Sequence, residues 1–169
     1  MKSILISIQP KWCELIDELI KKVEVRKTRP RCGMPFKCYI YCTKDEPLYH
    51  SGKKFWCKNA GEFGNGKVIG EFVCDRIDEI YQCNSGWVSE NACISKGEFF
   101  DYLGIPRETH MGYDKKAYAW HISDLVIYDK PKELRDFYLA AYRQGNRVRP
   151  PKPLTRAPQS WCYVEEVAS

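Results

Sequence analysis

Apolar positions along the chain change period several times, and each change marks an element. The opening SILISI, residues 3–8, is a short apolar run that reads as a strand. PKWCELIDELIKK follows, with Pro10 placed for a first helical turn. Trp12, Leu15, Ile16, Leu19 and Ile20 recur at helical spacing, which predicts a helix with one core-facing stripe. VEVRKTR then alternates. Val23 and Val25 point one way, and Glu24, Arg26 and Thr28 the other, until Pro30 ends the strand.

FKCYIYC predicts a strong strand with Phe36, Cys38, Ile40 and Cys42 on one face and Lys37, Tyr39 and Tyr41 on the other. Asp45 to Gly66 is polar and rich in Gly, Lys and Asn, the composition of a loop. GKVIGEFVCDRIDEIY reads as one long strand, and SENACISKGEFFDYLG as a short helix with a serine cap and Gly104 after it. KAYAWHISDLVIYD predicts one or two strands, and KPKELRDFYLAAY a helix beginning after Pro131. GNRVRPPKPLTRAPQ is an extended, basic, Pro-rich loop before a closing strand in SWCYVEEV. Strands dominate and do not alternate with helices. That excludes a doubly wound parallel sheet and predicts an α+β fold built on a small, partly closed mixed β-barrel with flanking helices. No repeat or linker divides residues 1–169, so a single domain is expected.

Charge sharpens the picture. The net charge is only +5, but its distribution is uneven. Lys21 to Arg31 holds six basic residues and one acid, Glu24. Arg143, Arg147, Arg149, Lys152 and Arg156 form a second basic group. Two such clusters on a small domain favour a polyanion partner over a merely soluble face.

The nine cysteines raise the question of metal. No Cys-x-x-Cys pair exists. Cys38 and Cys42 lie on one strand, roughly 13 Å apart, too far to share an ion. His50, His110 and His121 are scattered. No metal and no cofactor is expected, and the cysteines read as apolar core residues. MKSILISIQP is too short and polar for a secretory h-region, and no run reaches membrane-spanning length. The expectation is a cytoplasmic chain with free thiols. Gly-rich phosphate loops, Gly-x-Ser-x-Gly elbows and His-Glu-x-x-His motifs are absent.

Six segments carry a family likeness. SIQPKWCELI, KKVEVRKTRP, FKCYIYCTK, GKVIGEFVC, YAWHISDLVIYD and PQSWCYVEE together resemble the ASCH domain, the activating-signal-cointegrator homology domain of the PUA-like superfamily, in its small stand-alone bacterial and phage form. The diagnostic stretch is Lys-x-x-(Glu or Thr)-x-Arg, here Lys21, Glu24 and Arg26. The resemblance implies a barrel of five or six strands and a cleft beside the helix-to-strand junction. It also implies association with RNA, single-stranded nucleic acid or a nucleoside-type molecule. Some members are implied to be amidohydrolases of N4-acetylcytidine, and others ribonucleases. The chain departs from the pattern at two positions: Ile20 stands where a glycine usually precedes the basic pair and Lys22 where a threonine often follows the lysine, so the turn must form without glycine.

Three classes of function follow. As a binding module, the chain would use Trp12, Lys21, Glu24, Arg26, Lys27, Arg29 and His121 toward its ligand. Basic residues hold phosphates, Glu24 accepts from a nucleobase amino group, and Trp12, Trp120 or Trp161 stacks a base. Core packing is the alternative for each tryptophan, and a satisfied structural role for His121. As a hydrolase, the resemblance implies a Lys–Thr–Glu triad. Lys21 fits the lysine, Glu24 occupies the threonine position, and Glu90 is a candidate for the glutamate. A carboxylate does not replace a hydroxyl nucleophile, so Glu24 would act as a general base on water. As an adaptor, the chain would present RPPKPLTRAP in extended form.

Overall fold

Hydrogen bonding sorts most of the strands into one large sheet and one small one. The structure, a computed structural model, describes residues 3–44, 55–57, 61–106, 115–144 and 147–166. In chain order the elements are β1 (Ser3–Ile8), α1 (Pro10–Asp17), β2 (Val23–Arg26), β3 (Phe36–Cys42), β4 (Trp56–Cys57), β5 (Glu62–Phe63), β6 (Val68–Cys74) and β7 (Ile77–Tyr81). Then come α2 (Ser85–Ala92), α3 (Lys96–Leu103), β8 (Lys116–His121), β9 (Ser123–Lys132), β10 (Phe137–Leu139), β11 (Tyr142–Gln144), β12 (Arg147–Arg149), β13 (Lys152–Pro153) and β14 (Trp161–Glu166). The large sheet runs β13-β10-β14-β1-β3-β6-β9, and the small one β2-β8-β7. β4 pairs with β5 and β11 with β12 as separate ribbons. The architecture is α+β as expected, but no closed barrel is found among the described residues.

β1 lies at the heart of the large sheet, parallel to β3 and antiparallel to β14. Its two faces are both buried, which explains why SILISI is continuously apolar. Ile4, Ile6 and Ile8 join Phe36, Cys38, Ile40 and Cys42 of β3 in the main core, with Cys13 and Ile16 of α1 packed there. Leu5, Tyr39 and Tyr41 face the other way, against Phe137 and Val164. The alternation read in FKCYIYC therefore holds. A separate core forms where Val23 and Val25 of β2 meet Val88, Ala92 and Phe99 of α2 and α3.

Several expectations are corrected. The stretch 66–81 is two strands, not one. β6 belongs to the large sheet and β7 to the small one, and the chain turns between them at Asp75–Arg76. β8 and β9 make the same change of sheet around Ile122, so a bent strand pair carries the chain from one sheet to the other. His121 N–H donates to Arg76 O at 3.0 Å and Ser123 Oγ to Asp75 Oδ2 at 3.0 Å, pinning the bend. The helix expected after Pro131 does not form. Lys132 still pairs in β9, and Phe137 starts strand β10. Phe137 is fully buried, with its ring edge-on to Tyr39 at 4.8 Å, and this burial overrides local helix propensity. The single helix expected at 89–104 is two, α2 and α3, parted at Cys93, whose φ of 58° is left-handed. Within Asp45–Gly66, residues 45–54 and 58–60 lie outside the described residues, and β4 and β5 replace part of the expected loop.

α1 also ends sooner than its apolar stripe suggests. It stops at Asp17, and Leu19 takes a left-handed φ of 60°. Ile20 and Lys21 N–H both return to Leu15 O at 2.9 Å. Leu19 and Ile20 are thus exposed rather than in the core, Leu19 by 70%. The turn forms without glycine, and the strained residue is Leu19, not Ile20. An L-residue in this region costs about 1–2 kcal/mol, part of which glycine returns to unfolded-state entropy. Leu19→Gly is expected to raise unfolding stability by roughly 0.5–1 kcal/mol in urea titrations, while Ile20→Gly gains nothing. A loss of stability in Leu19→Gly would contradict this geometry.

Candidate functional site

The residues that leave α1 for β2 build the site. Once the chain has turned at Leu19, Lys21 is carried inward and is only 3% exposed. Its ammonium donates to Ala92 O at 2.8 Å, and the next backbone N–H, of Lys22, donates to Asn91 O at 2.8 Å. Both carbonyls end α2, where the helix dipole is negative and orphan acceptors need partners. The α2 terminus therefore fixes Lys21.

Glu24 answers the question its basic neighbours raise. It is 6% exposed, so it is no solvated edge residue. Lys21 Nζ lies 3.4 Å from Oε2, and Arg26 Nη2 3.0 Å from Oε1. Each oxygen has one cationic partner and keeps further acceptor capacity. Arg26 also donates to Ser7 O at 2.5 Å, while its Nε is buried without a partner among the described residues. Two cations flank one carboxylate, which leaves one positive charge in excess. Burying that excess is costly unless a ligand or dipole compensates it.

These side chains face a cavity of about 400 Å³. Trp12, Lys21, Glu24 and Arg26 all line it, together with Glu98 and Tyr102 of α3. Trp12 is half-buried, with the Lys21 ammonium 5.0 Å and the Lys11 ammonium 4.1 Å from its ring. Thr43 and Gln159 are also part of the wall.

The remaining candidates are placed elsewhere. Lys27 and Arg29 are exposed and do not line the cavity; Lys27 lies over Tyr102 and Arg29 over Tyr118. His121 Nε2 sits 2.8 Å from Asp78 Oδ2 and does not line the cavity. Glu90 is exposed on α2 and does not reach the cavity. Trp120 is fully buried between Phe36 and Trp161 and is a core residue, so it cannot stack a base. Trp161 donates to Thr28 Oγ1 at 3.0 Å. His50 and His110 lie outside the described residues, as do the side chains of Arg143, Arg147 and Arg149. The nine cysteines are unpaired, and no metal-ligating group is found among the described residues. Cys13, Cys38, Cys42, Cys57 and Cys74 are core residues, and burial pushes the Cys74 thiol up to about 12.

Glu98 and Tyr102 were missed from the sequence. Ser95-x-x-Glu98 is a capping box that starts α3, and residues four apart share a helix face. Those two signals together would have placed both side chains toward one neighbour. Glu98 is tied by Ser95 Oγ at 2.8 Å and Ser95 N–H at 3.0 Å, and pairs with Lys11 at 3.3 Å between α3 and α1.

No protein-family model and no curated protein matches the chain. Solved structures do. A Tyr-to-Phe variant of an ASCH protein from Zymomonas mobilis superposes over 98% of this chain and 91% of its own, with TM-score 0.56 and 18% identity. This chain has the ASCH fold. The ASCH structure from Zymomonas mobilis without a named substitution gives TM-score 0.55 at 20% identity, covering 97% of this chain and 88% of the other. A Ser-to-Ala variant gives 0.56 at 18%, covering 97% and 89%. Within the ASCH fold, the junction of α1 and β2 is where the cleft was expected.

Two outcomes follow from the site's electrostatics. Removing one partner from a buried ion network leaves uncompensated charge, at a cost of about 3–5 kcal/mol, whereas exposed pairs contribute under about 1 kcal/mol. Glu24→Ala is expected to destabilise by about 3 kcal/mol in urea unfolding, and Lys11→Ala by less than about 0.5 kcal/mol. Equal effects would contradict the buried network. The Glu98 carboxyl is held below its ordinary range by the Ser95 hydroxyl and then by the Ser95 N–H. A depressed folded value gives stability that is full above the unfolded value of about 4.3 and is lost as pH falls through the folded value. Protection of the amides at the start of α3, taken relative to their intrinsic exchange rate at each pH, should therefore fall below about pH 4, and Glu98→Gln should flatten that dependence. Protection that does not change with pH in the native chain would contradict the cap.

Proposed function

We propose that the cleft binds a pyrimidine nucleobase, carried by a nucleotide or by single-stranded RNA. ASCH and PUA-like folds are generally RNA-binding, and this chain shares that fold. The observation that carries the reading is Glu24, a buried carboxylate held between Lys21 and Arg26 and turned to a cavity with an aromatic wall. Such a carboxylate accepts from an exocyclic amino group, as Glu does with cytosine N4. Trp12 supplies a stacking surface. Lys21 and Arg26 bias the cleft toward electron-rich groups of the ligand, the base carbonyl or a phosphate. The chain's excess of positive charge favours the polyanion.

A second reading is hydrolysis of N4-acylated cytidine, or of RNA. It draws on the same Glu24, as a general base on water beside the Lys21 ammonium. No hydroxyl stands at position 24, and Glu90, the acid offered by the resemblance, is not in the cleft wall. Glu98 is the acid on that side. The binding reading is therefore favoured.

Calorimetry with cytidine 5′-monophosphate tests it. Glu24→Gln keeps the shape and removes the charge, and should weaken binding about tenfold or more, as should Trp12→Ala. Unchanged affinity in both would overturn the reading. Incubation with N4-acetylcytidine should release little cytidine. Robust turnover abolished by Lys21→Ala would establish the hydrolase instead.

A further inference from the structure

A second concavity lies along the same stretch of chain. Arg29, Pro30, Arg31, Cys32, Met34, Phe36 and Ile77 line a groove of about 240 Å³. Its floor is apolar: Phe36 and Pro30 are buried and Ile77 is half-buried. Arg29 and Arg31, on its wall, are exposed, and neither forms an ion pair among the described residues. Arg29 lies over the Tyr118 ring at 5.6 Å.

The groove and the cleft are ends of one strip. Gln159 lines the cleft. Two residues on, Trp161 donates to Thr28 Oγ1 at 3.0 Å. Two further on, the Tyr163 hydroxyl accepts from Arg31 N–H at 2.7 Å. The segment from Arg26 to Arg31 thus runs beside alternate residues of the chain entering and forming β14. Residues 159 to 163 span roughly 13 Å of extended chain. Lys27 lies over Tyr102 of the cleft wall, and Arg29 and Arg31 both line the groove.

We propose that the groove is a flanking-nucleotide subsite: the strand whose base enters the Glu24 cleft continues along Lys27, Arg29 and Arg31 and seats a neighbouring nucleotide there. This rests on the reading of the cleft as a nucleobase site. An apolar floor with unpaired arginines at its wall suits a base or sugar edge with phosphates on the guanidiniums. A span of this length exceeds what a single nucleoside in the cleft covers, so the partner is an oligonucleotide strand rather than a free nucleoside. Arg29 and Arg31 then contribute affinity without reading sequence, while the cleft reads the base.

The test is calorimetry with cytidine 5′-monophosphate and with oligocytidylates of two to six nucleotides, on the native chain and on the Arg29→Ala/Arg31→Ala double variant. Both arginines are exposed, so the variant keeps its core. The native chain should gain about tenfold or more in affinity from monomer to tetramer, the contribution of a further seated base. The double variant should lose that gain and keep its affinity for the monophosphate. Its slope of log affinity against log salt should fall by about 1.4, at ~0.7 per phosphate on a single strand. Monomer binding with no gain on lengthening, or a gain that survives the double variant, overturns the groove and leaves the cleft reading intact. Oligomer binding that the double variant loses, with no monomer binding and no effect of Glu24→Gln, supports the groove and overturns the cleft. A tetra-aspartate peptide that binds as tightly as the tetracytidylate would overturn the nucleotide assignment.

Discussion

The pairing of Lys21 with Glu24 and Arg26 is the constraint around which the site is arranged. Three ionised groups leave water together, and each must find partners within a few ångströms. Those partners come from distant parts of the chain. Ala92 O at the end of α2 holds Lys21, and Ser7 O of β1 holds Arg26. The network therefore ties β2 to the C-terminal end of β1, in the middle of the large sheet, on one side and to the helical layer on the other. Glu24 is the hinge of that arrangement, because it is the counter-charge of both cations.

Such networks are poor sources of stability. Well-packed apolar residues in their place are often neutral or stabilising, so the network's cost points toward a site rather than a scaffold. The surrounding packing fits that view. Val23 and Val25 anchor one face of β2 in an apolar core, which leaves the opposite face free to hold charge beside the cavity. α1 contributes Trp12 to the wall while Cys13 and Ile16 anchor it below.

Much of this was legible in the sequence where periodicity was strict. The alternation of VEVR placed Val23 and Val25 inward and Glu24 with Arg26, and the alternation of FKCYIYC sorted β3 between two cores. Illegible were features set by distant contacts. The apolar run at 66–81 gave no sign that the chain changes sheets at Asp75–Arg76, since both halves are strand-like. The stretch after Pro131 has helical composition, yet burial of Phe137 against Tyr39 decides in favour of a strand. Leu19 and Ile20 match the helical stripe of α1 but fall beyond its end. The basic run 21–31 reads as one cluster, although folding separates buried Lys21 and half-buried Arg26 from exposed Lys27, Arg29 and Arg31. Position along a sequence does not disclose which cation has a carboxylate and a helix terminus waiting for it.

The central claim is that a nucleobase enters the cleft against Trp12 and beside Glu24. Five tryptophans give five indole N–H resonances, which single substitutions assign. Their response to cytidine 5′-monophosphate tests the claim most directly. The account predicts a saturable shift of the Trp12 resonance, while those of exposed Trp56 and fully buried Trp120 stay in place. Saturable binding that moves Trp56 or Trp87 and leaves Trp12 unmoved would contradict it.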